Sequence, residues 1–218
     1  MTVSADATAN AAVVLVDRHI TQSDGDRTAL KYGAKRYSYH DLAALMNRAG
    51  NMLRNLGVEA GRHVVVAVNP SPACVASLLG AMKIGAVPVL AAEASDKVLK
   101  KTLDELDPAV IIADASRAAA IQKTAGKRTV IVVGGDADPD RSFVELLRAS
   151  ASSLSRGSVE PKAKAVAVLG DGGISHASHA DVGKAEKSGA LKLPAHGGVD
   201  VGAMLAAFAR GGEFTLPG

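Results

Sequence analysis

The sequence predicts an α/β fold in which helices flank a layered, largely parallel sheet. Short, uniformly apolar and β-branched runs are typical of strands that are covered on both faces. One helical segment separates each run from the next, which favours parallel pairing with right-handed crossovers. The predicted strands of the main sheet are residues 64–68, 86–90, 109–113 and 129–133.

Local signals set the bounds of the helices between these strands. Ser38 and Asp41 form the pattern of a capping box, and Gly57 ends the helix that begins there. Pro72 begins the next helix and Gly85 ends it. The other predicted elements are helices over residues 10–20, 95–106, 116–124 and 199–209, a hairpin around residues 33–34, and strands over residues 165–169 and 213–216.

The composition excludes several classes of protein. With 48% hydrophobic and 22% charged residues, the chain has the composition of a globular protein. The net charge is only +3 and aromatic residues make up 3%, so we predict no nucleic-acid partner. No apolar run is long enough to cross a bilayer, so we predict no membrane partner. The single cysteine, Cys74, allows no internal disulfide, and residues 1–6 lack the features of a secretory signal, which together predict a cytoplasmic location.

The chain divides into four predicted segments. Residues 1–9 are small and polar and form a flexible leader. Residues 10–148 form an α/β lobe, and the serine-rich residues 149–163, which end in a proline-containing break, form a linker. Residues 164–218 form a second, shorter lobe.

Several motifs resemble a known family. Residues 37–42 (YSYHDL), 61–68 (GRHVVVAV) and 78–89 (LLGAMKIGAVPV) lie in the order and spacing of that family's opening motifs. Residues 193–198 (LPAHGG) resemble a later one. On these motifs the chain resembles the N-terminal part of the acyl-adenylate-forming (AMP-binding) enzymes, the acyl-CoA synthetases and aryl-CoA ligases. The resemblance implies the fold of their N-terminal subdomain.

The resemblance also implies a chemistry and a site. Members of this family join a carboxylate to ATP, release pyrophosphate and commonly pass the acyl group to coenzyme A, so ATP or AMP with magnesium is the implied ligand. The family's phosphate-gripping loop corresponds to the stretch from Gly170 to His179. The implied nucleotide-binding residues are Gly170, Gly172, Gly173, Ser175, His179 and His196. We predict no catalytic residue and no metal ligand in this chain.

The phosphate loop departs from the family pattern. Residues 169–175 (LGDGGIS) lack the family's serine and threonine run, its proline and its lysine. Asp171 places a negative charge where anionic phosphates would lie. The family's later motifs, which hold adenine, ribose and magnesium, are not found in these 218 residues. We therefore expect a truncated, non-catalytic relative that acts as a binding or interaction module, and we expect the isolated chain not to be an enzyme.

Two other interpretations of the sequence stay open. The chain could be one half of an AMP-forming acid–thiol ligase that a partner chain completes. It could also be an unrelated α/β domain with a nucleotide pocket of its own. If the chain is a partner-completed half or an interaction module, we expect apolar surface along the strands beyond Ala165, which relatives cover with their second half. Such surface predicts a homo-oligomer or a heteromer.

Overall fold

Eleven strands and eight α-helices make up the computed structural model over the residues it describes, which are 10–170, 173–189 and 191–217. The strands are β1 (Thr28–Tyr32), β2 (Lys35–Ser38), β3 (His63–Ala67), β4 (Val87–Leu90), β5 (Val110–Asp114), β6 (Thr129–Val133), β7 (Lys164–Gly170), β8 (Gly173–Ser178), β9 (Ala195–His196), β10 (Val199–Asp200) and β11 (Phe214–Leu216). The α-helices are α1 (Arg18–Thr21), α2 (Tyr39–Asn55), α3 (Pro72–Ile84), α4 (Asp96–Leu106), α5 (Ala115–Ala125), α6 (Phe143–Ala149), α7 (His179–Ser188) and α8 (Val201–Ala209). A π-helical stretch, Val13–Asp17, runs directly into α1.

A six-stranded sheet in the order β6-β5-β3-β4-β7-β8 forms the centre of the fold. Every neighbouring pair is parallel except β7 and β8, which are antiparallel. The predicted largely parallel sheet is therefore confirmed. A second sheet, β11-β1-β2, pairs the end of the described chain with the predicted hairpin near its start.

Helices cover both faces of the main sheet. Along β3, Val64 and Val66 belong to the apolar cluster that includes α2 and α3. Their neighbour Val65 belongs to a separate cluster with Leu99 of α4 and Ile121 of α5. Successive strand residues point to opposite faces, so the uniformly apolar run is required by two covered faces, and the fold has three layers.

Helices α2 and α3 approach each other at a pair of glycines. A Cβ atom placed on Gly80 would lie 2.7 Å from the backbone nitrogen of Gly50 and 2.8 Å from the Cβ of Ala49. The absence of side chains at this crossing lets the two backbones come close. The predicted helix bounds also hold here, because Ser38 and Asp41 form a capping box and Gly85 ends α3 with a positive φ of 83°.

The serine-rich segment 149–163 carries no helix or strand beyond the last residue of α6, yet it is bound along its length. Asn51 donates two hydrogen bonds of 2.8 Å, to the carbonyls of Ala151 and Ser153. Other side chains of α2 do the same: Asn47 donates to Ser152, Arg48 to Ser150 and Arg54 to Ser155. The predicted linker therefore follows a fixed path over α2.

Two elements differ from the sequence-based prediction. Helix α6 was not predicted, and residues 173–178, expected to belong to a glycine-rich loop, form strand β8. Strands β7 and β8 extend the same sheet as β3 to β6, so the segments assigned to separate lobes share one sheet. None of the helices in the described ranges combines the length and apolar character that a membrane span requires.

Candidate functional site

The carboxyl ends of β3, β4, β5 and β7 meet along one edge of the main sheet. In open α/β sheets, ligands bind in the crevice at this carboxyl edge. The segment 193–198 lies across it: a Cβ on Gly170 would lie 3.6 Å from Pro194, and one on Gly197 would lie 2.3 Å from Pro70. Gly197 also has a φ of +56°, so a larger residue is excluded there on both grounds.

His196 is the buried centre of this edge. Its Nε2 lies 2.9 Å from the carbonyl oxygen of Val68, just after β3, and the backbone N–H of Ala92, just after β4, donates to its Nδ1 at 3.5 Å. Both contacts are made by the neutral ring that carries its proton on Nε2. Burial is the main reason that its pKa is lowered, so the neutral form is favoured. His196 therefore ties together the loops that follow two adjacent strands.

Cys74 lies beside this histidine but is not activated by it. Its Sγ is 3.7 Å from Nε2 of His196. Burial raises the pKa of the Cys74 thiol to about 12, and the nearby Asp114 adds to the effect. The thiol is therefore protonated at neutral pH and cannot act as a nucleophile.

Asp114 and Arg117 organise the same edge through backbone contacts. Asp114 is the last residue of β5, and its carboxylate accepts a 2.8 Å hydrogen bond from the backbone N–H of Asn69. The guanidinium of Arg117 donates to the carbonyls of Ala92 and Ala94, at 2.7 Å in the second case, and so fixes the loop after β4. No sequence motif singles out Asp114 or Arg117. The position of Asp114 at the end of a predicted strand was the available signal.

The predicted phosphate-loop remnant lies in the hairpin of β7 and β8. Gly170 of β7 pairs with Gly173 of β8, which leaves two residues between the paired positions. Those two, Asp171 and the predicted ligand Gly172, lie outside the described residues. Ser175 of β8 is exposed and pairs with Val168 of β7. The described part of the hairpin offers one exposed hydroxyl and no lysine at this end.

His179 lies at the other end of the hairpin. Six-residue β8 separates it from Gly173 by about 20 Å at the usual rise per strand residue, and its backbone N–H donates to the carbonyl of Ala163, before β7. Its side chain is buried and accepts a hydrogen bond from the N–H of Ala11. The structure thus brings Gly170, Gly173 and His196 to one edge of the sheet and places His179 at the opposite edge. Nucleotide contact by any of them stays a prediction.

The described residues of this edge do not fit a phosphate grip like that of the family. Binding of polyphosphate needs several free backbone amides, short hydroxyls and a cation at one place. Here the hairpin is closed by strand pairing, and His196 and Asp114 are engaged within the protein. Nowhere in the described ranges do three or more histidine, cysteine or acidic side chains form a group that could hold a metal ion.

This fold is an α/β domain of the kind found in adenylate-forming enzymes. A family model described as "AMP-binding enzyme" matches residues 16–170. The chain therefore belongs to the AMP-binding enzyme family, and the interpretation as an unrelated α/β domain is wrong.

Curated relatives agree with this assignment. The chain is 33% identical over 119 residues to the 3-hydroxybenzoate–CoA ligase of Aromatoleum sp. (strain CIB). This match covers 54% of this chain and 23% of the relative. It is 31% identical over 159 residues to the acetyl-coenzyme A synthetase of Bacillus subtilis (strain 168), covering 69% of this chain and 28% of the relative. The matched region thus spans less than a third of these relatives.

Solved structures show the same fold. The anthranilate CoA ligase AuaEII in complex with anthranoyl-AMP superposes with a TM-score of 0.81 at 19% identity, over 95% of this chain and 44% of that one. ATP-bound MatB from Rhodopseudomonas palustris superposes with a TM-score of 0.78 at 20% identity, over 96% of this chain and 45% of that one. The chain spans less than half the length of these structures.

Proposed function

We propose that this chain is a non-catalytic member of the AMP-binding family that serves as a binding or interaction module. The observation that carries the proposal is the pairing of Gly170 with Gly173, which leaves room for only two residues where the family's phosphate loop would stand. Two residues supply too few amides to surround a triphosphate, and one of them is the acidic Asp171. ATP or AMP with magnesium is the ligand that membership of the family implies.

The polar groups of the carboxyl edge support the same proposal. Both ring nitrogens of His196 form hydrogen bonds with backbone groups, of Val68 and Ala92, and the Cys74 thiol stays protonated. Neither group is therefore available to activate a carboxylate or to accept an acyl group. The polar side chains of this edge bind backbone groups and so fix the loops in place. A binding or interaction module needs fixed loops but no reactive side chain.

The proposal is tested by the release of pyrophosphate. The 218-residue chain is incubated with ATP, magnesium and separate carboxylates: benzoate, 3-hydroxybenzoate, acetate and a fatty-acid series. We expect no pyrophosphate above the protein-free blank. Turnover that is abolished by Gly172→Trp would mean that the shortened hairpin still works, and the proposal would be wrong. Calorimetric binding of ATP without turnover would identify the bound partner as a nucleotide.

A ligase half that a partner completes is the second candidate. It is favoured by the intact carboxyl edge, where His196 stands in the LPAHGG motif that resembles the family. The same pyrophosphate assay distinguishes the two candidates when the chain is co-purified with its partner. Activity of the complex that is lost on Gly172→Trp would support the ligase half, and an inactive complex would support the module.

We also propose a protein partner, either a second copy or a different chain. This proposal does not rest on the apolar surface expected along the strands beyond Ala165. The large hydrophobic side chains that are exposed in the described ranges are Val98 and Val144, and both lie before Ala165. The edge strand β8 is the better candidate, because an open edge presents unpaired backbone groups. Light scattering is expected to show an oligomer, and a strict monomer at high concentration would contradict it. A cytoplasmic location remains part of this proposal.

A further inference from the structure

Residues 10–21, here called the N-terminal segment, contact distant parts of the chain. Asn10 donates from its side-chain nitrogen to the carbonyls of Lys83, at 3.1 Å, and Gly157, at 3.2 Å. Arg18 donates to Glu186 of α7 at 2.5 Å and to the carbonyl of Ala209 at the end of α8. The segment therefore holds α3, the connection to β7, α7 and α8 against one another.

Two buried histidines fasten this segment, one near each end. The backbone N–H of Ala11 donates to Nδ1 of His179 at 3.0 Å. Near the other end, Nε2 of His19 lies 2.7 Å from the carbonyl oxygen of Phe208. His179 is 1% exposed and His19 is 3% exposed, so neither contact is shared with bulk water.

Protonation has opposite consequences for these two contacts. His19 donates to a carbonyl, and the imidazolium can still make that bond. His179 accepts from an N–H through Nδ1, and the imidazolium carries a proton on that atom, so two N–H groups would face each other. The bond between Ala11 and His179 can therefore exist only while the ring is neutral.

The surroundings of His179 offer no compensation for a positive charge. Its Nε2 has no hydrogen-bond partner among the described residues. Ionisable side chains on its own helix and on the neighbouring elements are Asp17, Arg18, Glu160, Lys162, Lys164, His176, Asp181, Lys184, Glu186, Lys187 and Arg210. Three carboxylates on the π-helical stretch and on α7 already have partners other than His179. Asp17 pairs with Lys83, Asp181 accepts a hydrogen bond from Ser178, and Glu186 pairs with Arg18. Burial alone lowers the pKa of His179, to about 4.

We propose that His179 is a pH-sensitive latch that releases the front of the N-terminal segment, residues 10–17, from α7 when the medium is acidified. Release lets the ring reach water and take up a proton. Arg18 and His19 keep their contacts with α8 in acid, so the rear of the segment stays in place. The latch is independent of any nucleotide chemistry in this chain.

The latch is tested on the full chain by amide hydrogen exchange, measured residue by residue by NMR. Protection factors of residues 12–16 are compared with those of β3 at pH values between 7 and 4. In the wild type, we expect protection of residues 12–16 to fall about tenfold per pH unit between pH 6.5 and pH 4 and to stay well below the protection of β3 at every pH, because residues 10–17 are released while β3 stays folded. Equal protection of residues 12–16 and of β3 at every pH would mean that residues 12–16 exchange only through global unfolding, and it would overturn the proposal.

A matched pair of variants identifies the residue responsible. His179→Asn keeps an acceptor oxygen near the position of Nδ1 but cannot be protonated, so protection of residues 12–16 should become independent of pH. His176→Asn, at an exposed position on β8, should keep the wild-type fall. The same fall in His179→Asn as in the wild type would exclude His179 as the latch.

A second measurement serves if His179→Asn does not fold. The ring resonances of His179 in the wild type give its titration directly. The latch requires the midpoint of that titration to coincide with the midpoint of the release of residues 10–17. Titration of the His179 ring while residues 12–16 are still protected would contradict the proposal.

Discussion

Lys83 is a cation held almost entirely out of water. It is 4% exposed, and its Nζ donates to Asp17 at 2.9 Å and to Asn47 at 2.6 Å. An ammonium group tolerates burial only when such partners satisfy it. Through these bonds Lys83 joins α3 to α2 and to the N-terminal segment.

Replacing Lys83 tests the energetic weight of this network. We expect Lys83→Met to lower the free energy of unfolding by roughly 1–3 kcal/mol, because Asp17 and Asn47 lose a partner in a mostly buried place. Lys100→Met is the matched control, since Lys100 pairs with Asp104 on the exposed face of α4. Solvent screens an exposed pair of this kind, so we expect a smaller loss for Lys100→Met. Urea denaturation gives both values, and equal losses would contradict the expectation.

The candidate site was only partly predictable at the level of single residues. The sequence identified Gly170, Gly173 and His196, which the structure gathers at one edge. It grouped His179 with them because the family's phosphate-gripping loop corresponds to the stretch from Gly170 to His179. The antiparallel pairing of β7 with β8 carries His179 to the far edge, and that pairing depends on non-local hydrogen bonds that no local motif specifies.

The crossing of α2 and α3 depends on the absence of a side chain at Gly80. We expect Gly80→Ala to lower the free energy of unfolding by roughly 1–3 kcal/mol, because its methyl group would meet backbone atoms of Gly50, which cannot rotate away. Gly183→Ala is the matched control in α7: nothing lies within 4 Å of its added Cβ. There the change should stabilise by about 0.5–1 kcal/mol through helix propensity.

Thermal unfolding of the two variants gives the comparison. The midpoint should fall for Gly80→Ala and stay or rise for Gly183→Ala. A rise for both would mean that the helices separate without cost, and the proposed reason for Gly80 would be wrong.

Elements were predictable where the chain carries strong local signals. The capping box at Ser38, the stop at Gly85 and the apolar run of β3 each act within a few residues, and the structure confirms all three. Strand β8 was missed because Gly173, Ser175 and His176 have little strand propensity. Its strand form comes from pairing with β7, which is a tertiary effect.

The molecule as a whole should lose stability in acid. The pKa values of His19, His63, His179 and His196 are all lowered, chiefly by burial. Below pH 6.5 the unfolded chain therefore binds more protons than the folded one. The stability that these neutral rings provide is present above pH 6.5 and is lost as the pH falls, down to about 4 for His179.

The expected size follows from His179. Between pH 7 and pH 5 this residue alone should remove about 2 kcal/mol from the free energy of unfolding, and the other three act in the same direction. Urea denaturation at the two pH values measures the difference. His40→Gln, at an exposed histidine, should leave it unchanged. Equal or greater stability at pH 5 would contradict the sign.

The path of residues 149–163 across α2 is specified through the main chain. Asn47, Asn51 and Arg54 stand one helical turn apart and bind carbonyl oxygens, which every amino acid possesses. The identities of the serines in this stretch are thus under little selection from these bonds. The length of the stretch is under strong selection. One inserted residue would move each following carbonyl oxygen away from the α2 side chain that donates to it. Relatives are therefore expected to diverge here by substitution far more readily than by insertion or deletion.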